Sequence, residues 1–168
     1  MIRNTLTTLA FAVAASLPLH GGATALPKTP WQVLENLQGS WRLATPRTDG
    51  ERAFRISFRA ISNGSALVET FGNPLKNTTQ TVYHRDGERL IATHYCAQGN
   101  QPRLALVPTT ALDALSFSFR DVTNLVDKSH SHLVKLDFKI VDRNRIERRE
   151  TYTEKGMAEQ SMLHLVRE

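Results

Sequence analysis

From Gly39 to the C-terminus, apolar and polar residues alternate with a period of two, and turn signals interrupt the pattern about every ten residues. Successive strand residues point to opposite faces, so this pattern predicts strands that each bury one face. The fitting stretches are 41–45, 54–61, 66–71, 78–85, 89–96, 103–107, 114–121, 133–141, 146–153 and 161–166. Barrel closure removes exposed sheet edges, so we predict an all-β, antiparallel up-and-down barrel of about ten strands.

One short helix is predicted before the first strand. Trp31, Leu34 and Leu37 recur every three residues, which places them on one helix face. Thr29 and Pro30 precede this run and suit the entry to a helix. The helix therefore leads directly into the barrel.

The first 25 residues have the pattern of a secretory signal peptide. Arg3 supplies a positive charge, residues 6–19 are apolar, and the small residues at 23–25 suit cleavage before Leu26. The apolar run is shorter than the roughly 20 residues that a spanning helix needs, so we expect no stable membrane insertion after cleavage. Residues 26–168 are predicted to form one exported domain, in the periplasm or outside the cell.

Composition excludes two classes of protein. Cys96 is the sole cysteine, so no internal disulfide framework can form. Removal of Arg3 lowers the formal net charge of +5 by one, which leaves a mild positive excess. Basic residues such as Arg55 and Lys135 alternate along predicted strands, as expected of a solvated outer face. Nucleic-acid binding requires a clustered basic patch with stacking aromatics, and we expect no nucleic-acid partner.

Asn63-Gly64 is a strong hairpin signal and sets a predicted register. With these two residues as the loop, Phe58 lies opposite Glu69, and both point inward. The same inner face is predicted to carry Phe54, Ile56, Ala60, Leu67 and Phe71.

Asp86-Gly87 is the second hairpin signal. With these residues as the loop, Tyr83 lies opposite Leu90. His84 and Arg89 on the alternate face favour an outward position for that face. The face predicted to point inward carries Tyr83, His94 and Cys96.

Inward-pointing polar residues form a candidate metal site. Glu69 and His94 lie on predicted inner faces, and His130 and His132 share the parity of the apolar residues that follow them if that strand extends back to them. Imidazole nitrogens and a carboxylate suit Zn²⁺ or another divalent transition metal. The sequence therefore predicts His94, His130, His132 and Glu69 as candidate metal ligands.

A second interpretation of these residues leaves the metal out. A buried carboxylate without a partner is unstable, so Glu69 needs a partner such as Tyr83 or Arg148. His130 and His132 then lie in a polar loop.

The histidines offer two further kinds of chemistry, thiol catalysis and haem binding. Cys96 and His94 lie about 7 Å apart along a strand, too far for a direct hydrogen bond, so we interpret Cys96 as a small buried thiol. No catalytic residue is assigned. Haem held non-covalently by His94, His132 or His164 is a further alternative, since no haem-attachment motif is present.

The loop that follows Cys96 has two interpretations. Asn100, Gln101 and Arg103 could hydrogen-bond a ligand at the barrel mouth. They could equally serve the turn alone, because Gly99-Asn100 is a common turn pair.

These residues carry a family resemblance. Gly39-Ser40-Trp41 after a short helix resembles the calycin superfamily, in which Gly-x-Trp opens the first strand. The strings GSALVETF, TVYHRDGERLIATHYCAQGNQP and SHSH resemble uncharacterised bacterial proteins with lipocalin-like domains, over about residues 37–168. Related barrels bind haem or fatty acids, so the resemblance implies export and ligand binding without an established reaction.

The predicted function is that of an exported protein that holds a small apolar or amphipathic ligand inside its barrel. Glu69, Tyr83 and His94 are predicted as polar anchors, with Asn100 and Gln101 at the mouth. The predicted apolar wall consists of Phe54, Ile56, Phe58, Leu67, Phe71, Phe117, Phe119, Leu136 and Phe138. The alternatives are a zinc-type metal-binding barrel and a solid-core interaction module without a ligand.

Overall fold

The computed structural model describes residues 29–168, which form a closed barrel of ten antiparallel strands. Each strand pairs with its neighbours in sequence, and β1 closes the barrel by pairing with β10. The strands are β1 (Gly39–Leu43), β2 (Arg55–Ile61), β3 (Ala66–Gly72), β4 (Thr78–Asp86), β5 (Arg89–Tyr95), β6 (Gln101–Leu106), β7 (Ala114–Thr123), β8 (His132–Asp142), β9 (Arg145–Glu154) and β10 (Met157–Arg167). The predicted fold class is confirmed, and the predicted signal peptide lies outside the described residues.

Helix α1 (Pro30–Glu35) precedes the first strand as predicted. Thr29 caps it in a capping box, and Trp31 is buried in the core of the barrel. The guanidinium of Arg85, near the end of β4, lies 5.1 Å from the Trp31 ring centroid. We call this the helix end of the barrel, and we call the opposite end, with loops 96–100 and 124–131, the far end.

A second short helix was not predicted. Helix α2 (Asp49–Ala53) lies between β1 and β2 and is capped by Thr48. Thr48 and Glu51 form a capping box, in which each side chain satisfies a backbone N–H of the other residue. This Thr-x-x-Glu spacing is the sequence signal from which the helix could have been predicted.

The sheet register agrees with the first hairpin prediction. Phe58 lies opposite Glu69, and the chain turns through a short 3₁₀ segment at Ser62–Gly64. The second hairpin differs from the prediction by two residues, because Tyr83 pairs with Ala92 rather than with Leu90. A shift of two residues leaves every side chain on its predicted face.

Gly87 accounts for the shift at the second hairpin. Asp86 pairs with Arg89, so the loop residues are Gly87 and Glu88 rather than Asp86 and Gly87. Gly87 has a φ of 61°, which glycine adopts without a steric penalty. Glycine at the first loop position is typical of one of the two preferred hairpin turns.

Strand β8 departs from simple alternation near its start. The strand begins at His132. The predicted inward placement of both histidines required a strand that extends back to His130, and the strand does not reach that residue. A bulge between Leu133 and Lys135 puts Leu133 opposite Tyr152 on the inner face. An extra residue in one strand reverses the face to which the preceding residues point, relative to the alternation that follows it.

The predicted apolar wall is mostly buried. Phe54 and Phe71 are partly buried and pack on the core, whereas Phe119 is 40% exposed. The fully buried members are Ile56, Phe58, Leu67, Phe117, Leu136 and Phe138. Within residues 29–168, no helix has the length and apolar character needed to cross a membrane.

An arginine of the last strand holds the segment between α1 and β1 at the helix end, and we call this contact the arginine clamp. Trp41 is buried, and its indole Nε1 donates to the Leu37 carbonyl at 2.8 Å. The Arg167 guanidinium lies 4.2 Å from the Trp41 ring centroid. Its Nη1 and Nη2 donate to the carbonyls of Gln38 and Asn36 at 2.5 and 2.7 Å. The final strand thus holds the segment between α1 and β1.

Replacing Arg167 with lysine is expected to lower the free energy of unfolding by about 1–3 kcal/mol. An ammonium cannot make both carbonyl bonds while stacking on the indole. Urea denaturation measures the loss, and Arg42→Lys on the neighbouring strand is the control, because Arg42 is exposed and bonds a single carbonyl. Equal losses in the two variants would contradict the clamp.

Candidate functional site

Four fully or nearly fully buried polar side chains meet inside the barrel, and we name them the Arg148 cluster. Glu69 comes from β3, Tyr83 from β4, and Arg148 and Glu150 from β9. None of the four is more than 7% exposed. Residues two apart on a strand share a face, which explains why Arg148 and Glu150 both point inward.

Hydrogen bonds and ion pairs connect the cluster. Tyr83 Oη donates to Glu69 Oε2 at 2.5 Å. Arg148 Nη2 lies 2.7 Å from Glu69 Oε1 and donates to Glu150 Oε1 at 2.9 Å. The contact between Arg148 Nη2 and Glu69 Oε1 is an ion pair without the alignment of a hydrogen bond. Both partners suggested for Glu69 by the second sequence interpretation are therefore in contact with it.

Two of the three nitrogens of the Arg148 guanidinium have no hydrogen-bond acceptor in the described part of the chain. These nitrogens are Nε and Nη1, and both are buried. The centre of the guanidinium lies 4.8 Å from the Phe71 ring centroid and 5.9 Å from that of Phe138. The guanidinium thus lies over both rings, whose π faces are weaker acceptors for its N–H groups than an oxygen is. Arg148 thus presents unsatisfied donors in the interior.

Burial and mutual charge set the protonation of the cluster. Burial raises the pKa of Glu69, although the Arg148 charge and the Tyr83 hydroxyl oppose the rise. Burial alone would lower the pKa of Arg148, but the carboxylates of Glu150 and Glu69 raise it overall, so the guanidinium stays charged. Burial and the Glu69 charge raise the pKa of Tyr83. The cluster has a formal charge of zero with Glu69 protonated and is negative with Glu69 ionised.

His94 lies beside the cluster toward the far end. Its Nδ1 is 3.0 Å from Thr81 Oγ1, and its Nε2 is 3.1 Å from Tyr152 Oη. Burial lowers the pKa of His94 to about 4, against the opposing effect of the Glu150 charge. The ring is therefore neutral at pH 7, with one nitrogen donating and the other accepting. Burial, with the Glu150 charge, also raises the pKa of Tyr152.

The structure does not gather the predicted metal ligands. No group of three or more His, Cys, Asp or Glu side chains in the described part of the chain is placed to hold a metal ion. Glu69 bonds Tyr83, and both ring nitrogens of His94 already have partners. His132 directs Nδ1 to the carbonyl of His130 at 2.8 Å, and the His130 side chain belongs to the preceding loop.

Asn100 and Gln101 hold the far-end loops together. Asn100 is fully buried, and its Nδ2 donates to the Ser131 carbonyl at 2.9 Å. Gln101 donates to the Gly99 carbonyl at 2.8 Å and accepts from Thr123 Oγ1 at 2.9 Å. The structure thus gives both amides roles in the turn, one of the two interpretations that the sequence allowed.

Cys96 lies at the far end beside Tyr152, whereas His164 lies on the outer face of the barrel. Cys96 follows the end of β5, is half-buried, and bonds the Gln98 side chain through its thiol. The thiol was predicted to be buried and is only half-buried, because the strand ends one residue earlier, at Tyr95. The side chain of His164 is 60% exposed and lies 3.8 Å from Glu147 on the outer face.

Sequence reasoning assigned no site role to the β9 residues. Arg148 entered only as a partner for Glu69, and Glu150 and Tyr152 were not singled out. The signal was present, because the buried Ile146 starts a run in which every second residue shares its face. Charged residues at such positions are easily interpreted as a solvated face.

Comparison with known proteins identifies no family for this chain. No protein family model matches the sequence, and no curated protein matches it significantly. The function is therefore argued from the interior of the barrel.

Proposed function

We propose that this protein binds a small, largely apolar ligand inside its barrel. The observation that carries the proposal is Arg148, a fully buried guanidinium whose Nε and Nη1 meet no acceptor in residues 29–168. Leaving buried donors unsatisfied destabilises a protein by about 1–3 kcal/mol, so such groups point to a partner. An apolar wall with a few convergent polar groups is the usual composition of a small-molecule site.

The sequence supports the same proposal and adds export to it. Residues 1–25 have the signal-peptide pattern, and the lipocalin-like resemblance implies a secreted ligand-binding barrel. Glu69, Tyr83 and His94, predicted as polar anchors, are buried within contact of one another or of Arg148 and Tyr152. We therefore propose that the protein is exported to the periplasm or outside the cell.

Prodan, an uncharged naphthyl ketone whose emission depends on its surroundings, tests the proposal. The mature protein is expected to bind it saturably at one site. Native mass spectrometry of freshly isolated protein is expected to show a co-purifying small molecule. Failure of both experiments would contradict ligand binding and favour a barrel filled by its own side chains.

Tyr83→Phe is expected to weaken prodan binding by about 5- to 30-fold, because it removes a buried hydroxyl that positions Glu69. Tyr95→Phe is the matched control, since Tyr95 is 50% exposed near the end of β5. Fluorescence titration of both variants gives the comparison. Equal affinities would mean that the bound dye does not contact the Arg148 cluster.

A further inference from the structure

The donor groups of Arg148 define what an occupant must supply. Of its three nitrogens, Nη2 faces Glu69 and Glu150, whereas Nε and Nη1 carry three N–H groups without an acceptor in the described part of the chain. Phe71 and Phe138 pack on the guanidinium. An occupant must therefore bring an acceptor oxygen to the edge of the guanidinium.

The charges around Arg148 restrict that oxygen further. Two carboxylates, Glu69 and Glu150, already face the single positive charge at 2.7 and 2.9 Å. His94 is neutral at pH 7, and Tyr83 contributes a neutral hydroxyl. A bound anion would thus add a further negative charge to a buried cluster that has no positive excess.

We infer that the ligand is an uncharged amphiphile whose acceptor oxygen, of a carbonyl, amide or ester, binds the free N–H groups of Arg148. This inference rests on the proposed function and specifies its ligand class. An uncharged oxygen satisfies the donors and leaves the charge of the cluster unchanged. A free carboxylate of the same length is discriminated against by the two glutamates.

Octanamide and octanoate test the inference, because the two head groups have nearly the same shape and differ in charge. Each compound is titrated against prodan bound to the mature protein near neutral pH. Octanamide is expected to displace the dye at a concentration about tenfold lower than octanoate, or lower still. Displacement by octanoate at an equal or lower concentration would overturn the inference and leave the proposed function intact.

The Glu150→Gln variant tests whether the glutamates cause the preference for octanamide over octanoate. Glu150→Gln removes one carboxylate and is expected to reduce the difference between the two compounds by about tenfold, chiefly through tighter octanoate binding. Glu147→Gln on the same strand is the matched control, because Glu147 faces outward, and it should keep the wild-type ratio. An unchanged ratio in a folded Glu150→Gln protein would contradict the inference.

A complete absence of binding bears on the proposed function rather than on the ligand class. If neither prodan nor octanamide nor octanoate binds or raises the melting temperature, and native mass spectrometry shows no co-purifying small molecule, the proposed function fails, and the inference fails with it. If Glu150→Gln does not fold, the wild-type comparison of octanamide with octanoate decides the ligand class by itself.

Discussion

Replacing Arg148 with methionine is expected to lower the free energy of unfolding by about 3–5 kcal/mol. The change leaves Glu69 and Glu150 buried without a counter-charge. It also removes the cation stacked beside Phe71 and Phe138. Urea denaturation of the protein, followed by circular dichroism, measures the loss.

Two comparison proteins show whether charge is the cause. Arg149→Met alters the next residue, which is exposed and contacts Met162, and should change stability by no more than about 0.5 kcal/mol. Arg148→Met combined with Glu69→Gln and Glu150→Gln should recover most of the lost stability, because no buried charge remains. A single Arg148 variant as stable as the Arg149 variant would refute the account.

Acidification from pH 6.5 to pH 4 is expected to cost about 2–4 kcal/mol of stability through His94 alone. Burial lowers the pKa of His94 from 6.5 to about 4 in the folded protein, so the unfolded chain takes up the proton first. The stabilising contribution is complete above pH 6.5 and is lost as the pH falls through that window. Denaturation curves across this range measure it.

Histidine variants isolate this contribution from that of Glu69. Burial raises the pKa of Glu69, so its contribution is complete below pH 4.5 and is lost as the pH rises, which is the opposite sign. Subtracting the stability of the His94→Gln protein from that of the wild type at each pH cancels the contribution of Glu69, which both proteins share. His164→Gln, which alters an exposed histidine, should keep the wild-type slope. A His94→Gln protein with that same slope would contradict the prediction.

Local sequence signals predicted the strands and their faces well. Asn63-Gly64 located a turn, and the register of Phe58 against Glu69 followed from it. The second hairpin was displaced by two residues, yet Tyr83 and His94 kept their inward faces, because the side-chain period of a strand is also two.

The errors arose where a local pattern has more than one structural outcome. A bulge at Leu133 interrupts the alternation, and the apolar pattern before and after it contains no signal for the extra residue. His130 lies in the loop before β8, because the strand begins at His132, whereas His132 is buried beside Phe119. Cys96 was placed one residue too far along its strand.

The sequence by itself determined the strand order, the two hairpins and the inward face that carries Glu69, Tyr83 and His94. Tertiary structure decided which of these side chains meet. Glu69 on β3 reaches Arg148 on β9 because closure of the sheet brings distant strands face to face across the interior. Register arguments relate only neighbouring strands, so contacts across the interior follow from barrel closure and from the size of the side chains that fill it.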